Sequence, residues 1–296
     1  MASEHKYIHN ALKQVQIGTS CSTVSGFSIS GLATYVQLKE LDFCIDMGEC
    51  PLSATSLNHV FLTHAHGDHA RCLMRHHSLR KMMGVEQDSV YYLPDSICEN
   101  AKKWLFAEAL FEGVNENKFR YPELRPMKPG EMQFLEYRKD LAIKAFDVKH
   151  SIPTMGATRY YYKKKLKKEF IDKSTGEIIE LRKAGVEITN EVYDPLVSFT
   201  GDCLGESLAD NSDIFKSKVL ICECTFLSDE DEAMSTKKGH THINHIVKVL
   251  NEIQDQVECE KIILSHFSMK YSERFIQDTI ARKIPDKFKD RVVALI

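Results

Sequence analysis

Four side chains able to ligate a metal fall within six residues, His64-Ala65-His66-Gly67-Asp68-His69. Imidazole and carboxylate together suit zinc or a similar borderline divalent ion. The preceding run, Asn58-His59-Val60-Phe61-Leu62-Thr63, holds a short apolar stretch that reads as a buried strand, and Gly67 ends it. The candidate ligands therefore sit where a strand gives way to a turn. His64 and His66, alternate residues of an extended segment, project the same way. Asp68 and His69 lie past the turn, at the start of a helix, and aim from another direction. Two pairs aimed from two directions suit two ions better than one.

Further candidates stand at other strand ends. His150 follows a strand over 141–148, with Pro153 and Gly156 closing the turn, and is read as a metal ligand or a packing residue. Asp202 follows a strand over 195–201, where its two oxygens can bridge two cations. His266 ends a strand over 261–264. Asp46, in Asp46-Met47-Gly48, either orients a ligating histidine or caps a turn. His76 and His77, inside a helix over 70–83, are read as surface or packing residues. Cys222 and Cys224 are read as buried small hydrophobes on opposite faces of an apolar strand over 218–224.

These residues need a scaffold. The 296-residue chain suits one large domain or two small ones, and its 43% hydrophobic and 27% charged content is ordinary for a soluble globular protein. A net charge of −3 excludes a general polyanion binder, so nucleic-acid affinity requires a local basic patch. No apolar run approaches the roughly 20 residues of a membrane span, and residues 1–15 lack a signal-peptide core. Nine scattered cysteines suit reduced thiols in a cytoplasmic protein. Strands are read at 13–18, 32–38, 42–46 and 90–93, and helices from Asp95 to about residue 111, from Gly239-His240-Thr241-His242 onward, and after Ser272. A closing strand is expected at 291–296, and a loop over 113–130. Strands and helices alternate, and the candidate ligands lie at strand exits, which fits a layered α/β fold with its site at one sheet edge.

One segment is too polar for a core. Residues 159–168 read Arg-Tyr-Tyr-Tyr-Lys-Lys-Lys-Leu-Lys-Lys, and with a turn at Ser174-Thr175-Gly176-Glu177 they suggest a two-stranded arm inserted at about 157–193. Clustered Lys with interleaved Tyr suits phosphate and base contacts, making Arg159, Lys163, Lys164, Lys165, Lys167 and Lys168 candidates for substrate binding. A solvated hairpin with no specific role is the alternative.

The set His64-x-His66-x-Asp68-His69, His150, Asp202 and His266 resembles the metallo-β-lactamase superfamily across nearly the whole chain. Within it the sequence most resembles ribonuclease Z, the endonuclease that trims precursor tRNA 3′ ends. Asp46-Met47-Gly48-Glu49, Glu223-Cys224-Thr225-Phe226, Gly239-His240-Thr241 and Leu264-Ser265-His266-Phe267-Ser268 with Tyr271 carry the likeness. The resemblance implies a single-domain αβ/βα sandwich of two mixed sheets and two divalent ions, zinc first, with manganese or iron as alternatives. One ion would take His64, His66 and His150, the other Asp68, His69 and His266, with Asp202 bridging. It implies a metal-activated hydroxide as nucleophile, Asp68 as a proton acceptor, and His240, held by Glu223, as the acid for the leaving 3′-oxygen. A homodimer is also implied.

The sequence departs from that pattern where the family grips tRNA. The place of a basic Pro-x-Lys-x-Arg loop reads Pro51-Leu52-Ser53-Ala54-Thr55-Ser56, the arm lacks a Gly-Pro pair, and Thr241-His242 replaces Ser-Thr. Hydrolysis of a small phosphodiester, such as a cyclic nucleotide, or of a thioester or lactone stays open beside precursor tRNA. So does a non-catalytic module with structural zinc, against which the full ligand set and His240 argue.

Overall fold

The strands alternate between two apolar environments, and that alternation builds two sheets laid face to face. In the computed structural model, which describes residues 14–296, Phe61 lies in the cluster between the sheets while its neighbours Val60 and Leu62 lie under the helices outside. The first sheet runs β1 (Val15–Gly18), β2 (Thr23–Ser30), β3 (Ala33–Leu38), β4 (Phe43–Ile45), β5 (His59–Phe61), β6 (Val90–Pro94), β7 (Glu123–Met127). Its first four strands pair antiparallel and the remainder parallel.

The second sheet contains β8 (Met132–Leu135), β9 (Arg138–Asp147), β10 (Met155–Leu166), β11 (Thr189–Phe199), β12 (Val219–Glu223) and β13 (Lys261–Ser265), and β15 (Val292–Ala294) closes it beside β13. It too passes from antiparallel to parallel pairing, at β11 and β12. The two-residue β14 (Phe267–Ser268) leaves this sheet and pairs with β2 of the first. His266, at φ 61°, is the corner where the chain changes sheets.

Apolar burial holds the layers. Phe43, Phe61 and Phe199 meet between the sheets with ring centroids 5.1 and 5.8 Å apart around Phe199, and such pairs add about 0.5–1.5 kcal/mol each beyond area burial. Helices Leu73–Met82 and Asp95–Phe111 cover the first sheet, and Ile243–Glu252 and Glu273–Lys283 cover the second. This is the expected αβ/βα sandwich of mixed sheets.

Several expectations need correction. Residues 113–130 are not all loop, because 123–127 form the edge strand β7, where Pro126 is tolerated. Strand β2 was not expected, nor was the edge strand β8. The arm is a hairpin of β10 and β11, but 174–177 is no strand-to-strand turn. Ser174 and Glu177 form a capping box that starts a helix, Thr175–Lys183. Cys222 and Cys224 are buried on the same face, under the helices, as residues two apart in a strand must be. His76 and His77 are both buried, and His76 bonds the Tyr91 hydroxyl at 2.7 Å and the Ala54 carbonyl at 3.0 Å. The predicted start of β1 at Lys13, and most of the polar segment 1–15, lie outside the described residues. No helix among the described residues is long and apolar enough to cross a membrane.

Candidate metal centre

Backbone geometry at the end of β5 sets the first ligand group. Strand β5 is flanked by β4 and β6, and past Phe61 the chain stays extended through Thr63, whose N–H donates to Asp46 Oδ1 at 2.7 Å. His66 then opens a short helix, Gly67–Ala70, which swings Asp68 and His69 around the turn. The Asp46–Gly48 turn clamps this loop from behind. Met47 N–H donates to the His69 carbonyl at 2.6 Å, and a Cβ on Gly48 would fall 1.7 Å from the Asp68 carbonyl oxygen. Only glycine fits there.

The second sheet supplies the rest from its own strand ends: His150 after β9, Asp202 after β11, Glu223 at the end of β12 and His266 after β13. Gly201, at φ 62°, turns the chain so that Asp202 enters the cavity. His64, His66, His150 and Asp202 offer donor atoms within 4.8 Å of one another, as do Asp68, His69 and His266. His64 Nε2 is 3.1 Å from His66 Nδ1, which is 3.3 Å from His150 Nε2. His69 Nε2 faces His266 Nε2 at 3.2 Å, with Asp68 Oδ2 at 3.7 and 3.5 Å from the two. Asp202 stands between the groups, 3.6 Å from His64 Nε2, 3.4 Å from His69 Nε2 and 3.4 Å from His266 Nδ1.

The donor set fits divalent cations. Ligands at a tetrahedral ion with bonds near 2.0–2.1 Å lie roughly 3.3 Å apart, the spacing these nitrogens keep. Three of the other ring nitrogens are held. His69 Nδ1 lies 2.7 Å from Asp46 Oδ2, His150 Nδ1 lies 2.8 Å from the Gly239 carbonyl, and His64 Nδ1 lies 2.9 Å from Thr63 Oγ1. Asp46 thus both orients a histidine and ties the turn. Burial opposes charge on Asp202, yet His266 and His69 hold it well below the usual carboxylate range. Burial likewise opposes charge on His69, and Asp202 and Asp46 outweigh it and push its pKa well up. The cavity is electrostatically built to receive positive charge.

Beside it, His240 Nδ1 lies 2.9 Å from Glu223 Oε1 and 4.0 Å from Asp202 Oδ2. Burial disfavours the imidazolium, but the Glu223 carboxylate prevails and raises its pKa to about 9. Glu223 is itself fixed by the Cys203 N–H at 2.7 Å and the Thr225 hydroxyl at 2.6 Å.

The predicted arm residues lie elsewhere. Arg159 is fully buried, stacked 4.5 Å over the Phe43 ring and donating to the Leu41 carbonyl at 2.5 Å, so the expectation that it meets substrate is corrected. It follows Met155 and Ala157 on the core-facing side of β10. Lys163 is ion-paired with Asp194, while Lys164, Lys165 and Lys168 are exposed and Lys167 is half-buried. Met155 abuts Thr63 at the site end of β10, so Lys164, nine residues on, stands roughly 30 Å along the strand. Sequence reasoning missed Thr63 and Thr225, whose hydroxyls meet His64 and His266, although each sits inside a motif already singled out. It also missed the Gly31 N–H, 2.7 Å from Asp68 Oδ2, for which no local signal exists.

No family model matches the chain. Among solved structures it is similar to the metallo-β-lactamase fold protein YhfI from Bacillus subtilis, with a TM-score of 0.56, 14% identity and coverage of 91% of this chain and 94% of that one. It is also similar to the short form of human tRNase Z, with a TM-score of 0.54, 16% identity and coverage of 87% and 93%. The fold is therefore that of the metallo-β-lactamases. Among curated proteins, the chain is 35% identical to tRNase Z TRZ1 of Arabidopsis thaliana, over 92% of this chain and 94% of that protein. It is 32% identical to the chloroplastic tRNase Z TRZ2 of the same plant, over 99% and 80%. The chain belongs to the ribonuclease Z family, and is an enzyme of the metal-dependent hydrolase class.

Proposed function

We propose that the protein is an endoribonuclease that cleaves precursor tRNA at its 3′ end, using two divalent ions, zinc first among them. The observation that carries this reading is the two donor groups with Asp202 within 3.6 Å of histidines from each, and the His240–Glu223 pair alongside. His64, His66 and His150 would hold one ion and Asp68, His69 and His266 the other, with Asp202 available to both. When bound, such ions would supply Lewis acidity and make a water more acidic.

The chain's own residues supply the rest. Asp68, whose carboxyl is kept ionised by its neighbour His266 against the cost of burial, accepts the proton of the attacking water. His240, protonated well above the usual histidine range, donates to the leaving 3′-oxygen. Glu223 keeps it charged and aimed. Lys164, Lys165, Lys167 and Lys168 bind the phosphate backbone of the tRNA body at a distance from the scissile bond. Their separation from the chain's own centre favours a homodimer in which one arm serves the partner's site. The nine cysteines are free, which supports a reducing compartment, read here as the cytoplasm.

The test is incubation with a precursor tRNA and with bis-p-nitrophenyl phosphate, each with and without chelator, for the unmodified chain and Asp202→Ala. Chelator-sensitive release of the 3′ trailer, lost in Asp202→Ala, supports the reading, and a fully active variant ends it. Cleavage of the small ester alone removes tRNA as substrate while leaving the hydrolytic centre.

A further inference from the structure

On the far side of the metal loop lies a second cavity, of about 430 Å³, within the roughly 300–1,000 Å³ of small-molecule sites. His64, Ala65 and Gly67, from the loop that carries the candidate ligands, form one wall. The other is one face of helix Asp95–Phe111, from which Ile97, Asn100 and Trp104 recur at helical spacing. Arg71 stands at the rim, 43% exposed and 3.6 Å from Glu49. An exposed pair of that kind is worth little and exchanges readily for another anion.

From this lining we infer that the cavity binds an unstacked nucleobase of the RNA strand next to the scissile phosphodiester, an inference that rests on the RNA substrate proposed above. The apolar lining of Leu62, Leu73, Leu93 and Ile97 suits a base, and the remaining side chains match the face and edge of that base and its phosphate. The indole of Trp104, 37% exposed, offers a stacking face, which for a single base is a sequence-tolerant contact. The Asn100 amide presents a donor and an acceptor side by side, the pattern that pairs with an adenine edge. The Arg71 guanidinium suits the phosphate. The position supports the same occupant, because His64, one of the candidate metal ligands, itself lines the cavity.

Trp104 is the only tryptophan in the chain, so its fluorescence reports the cavity directly. Adenosine 5′-monophosphate, which has no internucleotide bond to cleave, is titrated against the metal-loaded protein, with ribose 5-phosphate as the base-free control. Saturable quenching by the nucleotide and not by the control is expected, weakened in Asn100→Ala. In steady-state cleavage of precursor tRNA, Trp104→Ala should raise KM by roughly tenfold, the effect of one lost stacking contact, and Trp104→Phe should restore most of it. Far-UV circular dichroism checks that each variant is folded. No quenching at millimolar nucleotide, equal quenching by ribose 5-phosphate, or an unchanged KM in folded Trp104→Ala overturns the inference. So does a fluorescence change that follows protein concentration alone, which assigns this face to a second copy of the chain. If the unmodified chain binds the nucleotide but leaves precursor tRNA intact, the tRNA reading falls and the base site stands. If it cleaves precursor tRNA and Trp104→Ala matches it, the reverse holds.

Discussion

Replacing Asp46 with asparagine separates the metal-orienting role of this buried carboxylate from its role in the fold. One oxygen accepts the Thr63 N–H and the other faces His69 Nδ1, each at 2.7 Å. As a carboxylate it accepts from Nδ1–H and leaves the Nε2 lone pair directed at the cation site. In Asp46→Asn the amide oxygen keeps the Thr63 bond, so the amide NH2 must face His69. That donor forces the proton onto Nε2, where it blocks coordination. The lost interaction is a charge-assisted hydrogen bond, worth about 1.5–3 kcal/mol. Metal affinity is expected to fall roughly 10- to 100-fold, the usual effect of removing such a partner, while the metal-free chain still folds. Metal content by mass spectrometry after dialysis against graded chelator gives the affinity, and thermal unfolding of the metal-free chain gives the stability. If Asp46→Asn kept metal as tightly as the unmodified chain, the tautomer argument would be refuted.

Other perturbations test other links. Glu223→Gln removes the charge that lifts His240 to about 9. Because the donating form is the protonated one, the alkaline limb of the kcat–pH profile should move to lower pH by about one unit or more, and an unmoved limb would argue against His240 as the acid. Gly48→Ala drives a methyl into the Asp68 carbonyl and should cost about 1–3 kcal/mol or more in chemical denaturation, with metal affinity falling alongside; a neutral outcome would show that the turn does not clamp the loop. Deleting 163–168 should spoil precursor tRNA cleavage but spare bis-p-nitrophenyl phosphate, and equal loss on both would remove the arm's role.

The convergence of the candidate ligands was legible because their chemistry is local. His64 through His69 are contiguous, and each later donor directly follows an apolar strand that ordinary periodicity reveals. What escaped the sequence depended on partners distant along the chain. Strands β7 and β8 are sheet edges, and with apolar burial on fewer sides they carry Glu, Arg, Pro and Gln that mimic a loop. Serines and Gly26 blur the period of β2, where close approach to Tyr35 excludes a side chain at Gly26. Arg159 was grouped with the lysines by charge. Its parity with Met155 and Ala157 was the better guide, since alternate strand residues share an environment. The arm helix was overlooked because a capping box and a turn use the same residue types.

Among the described residues, Asp42, Asp46 and His266 are the non-glycine residues at positive φ, and the last two belong to the candidate metal centre. A left-handed backbone costs a side-chain-bearing residue about 1–2 kcal/mol that glycine escapes. Glycine at either place would relax the chain and disarm it. At these two positions, backbone comfort and the side chain that the candidate centre uses pull in opposite directions.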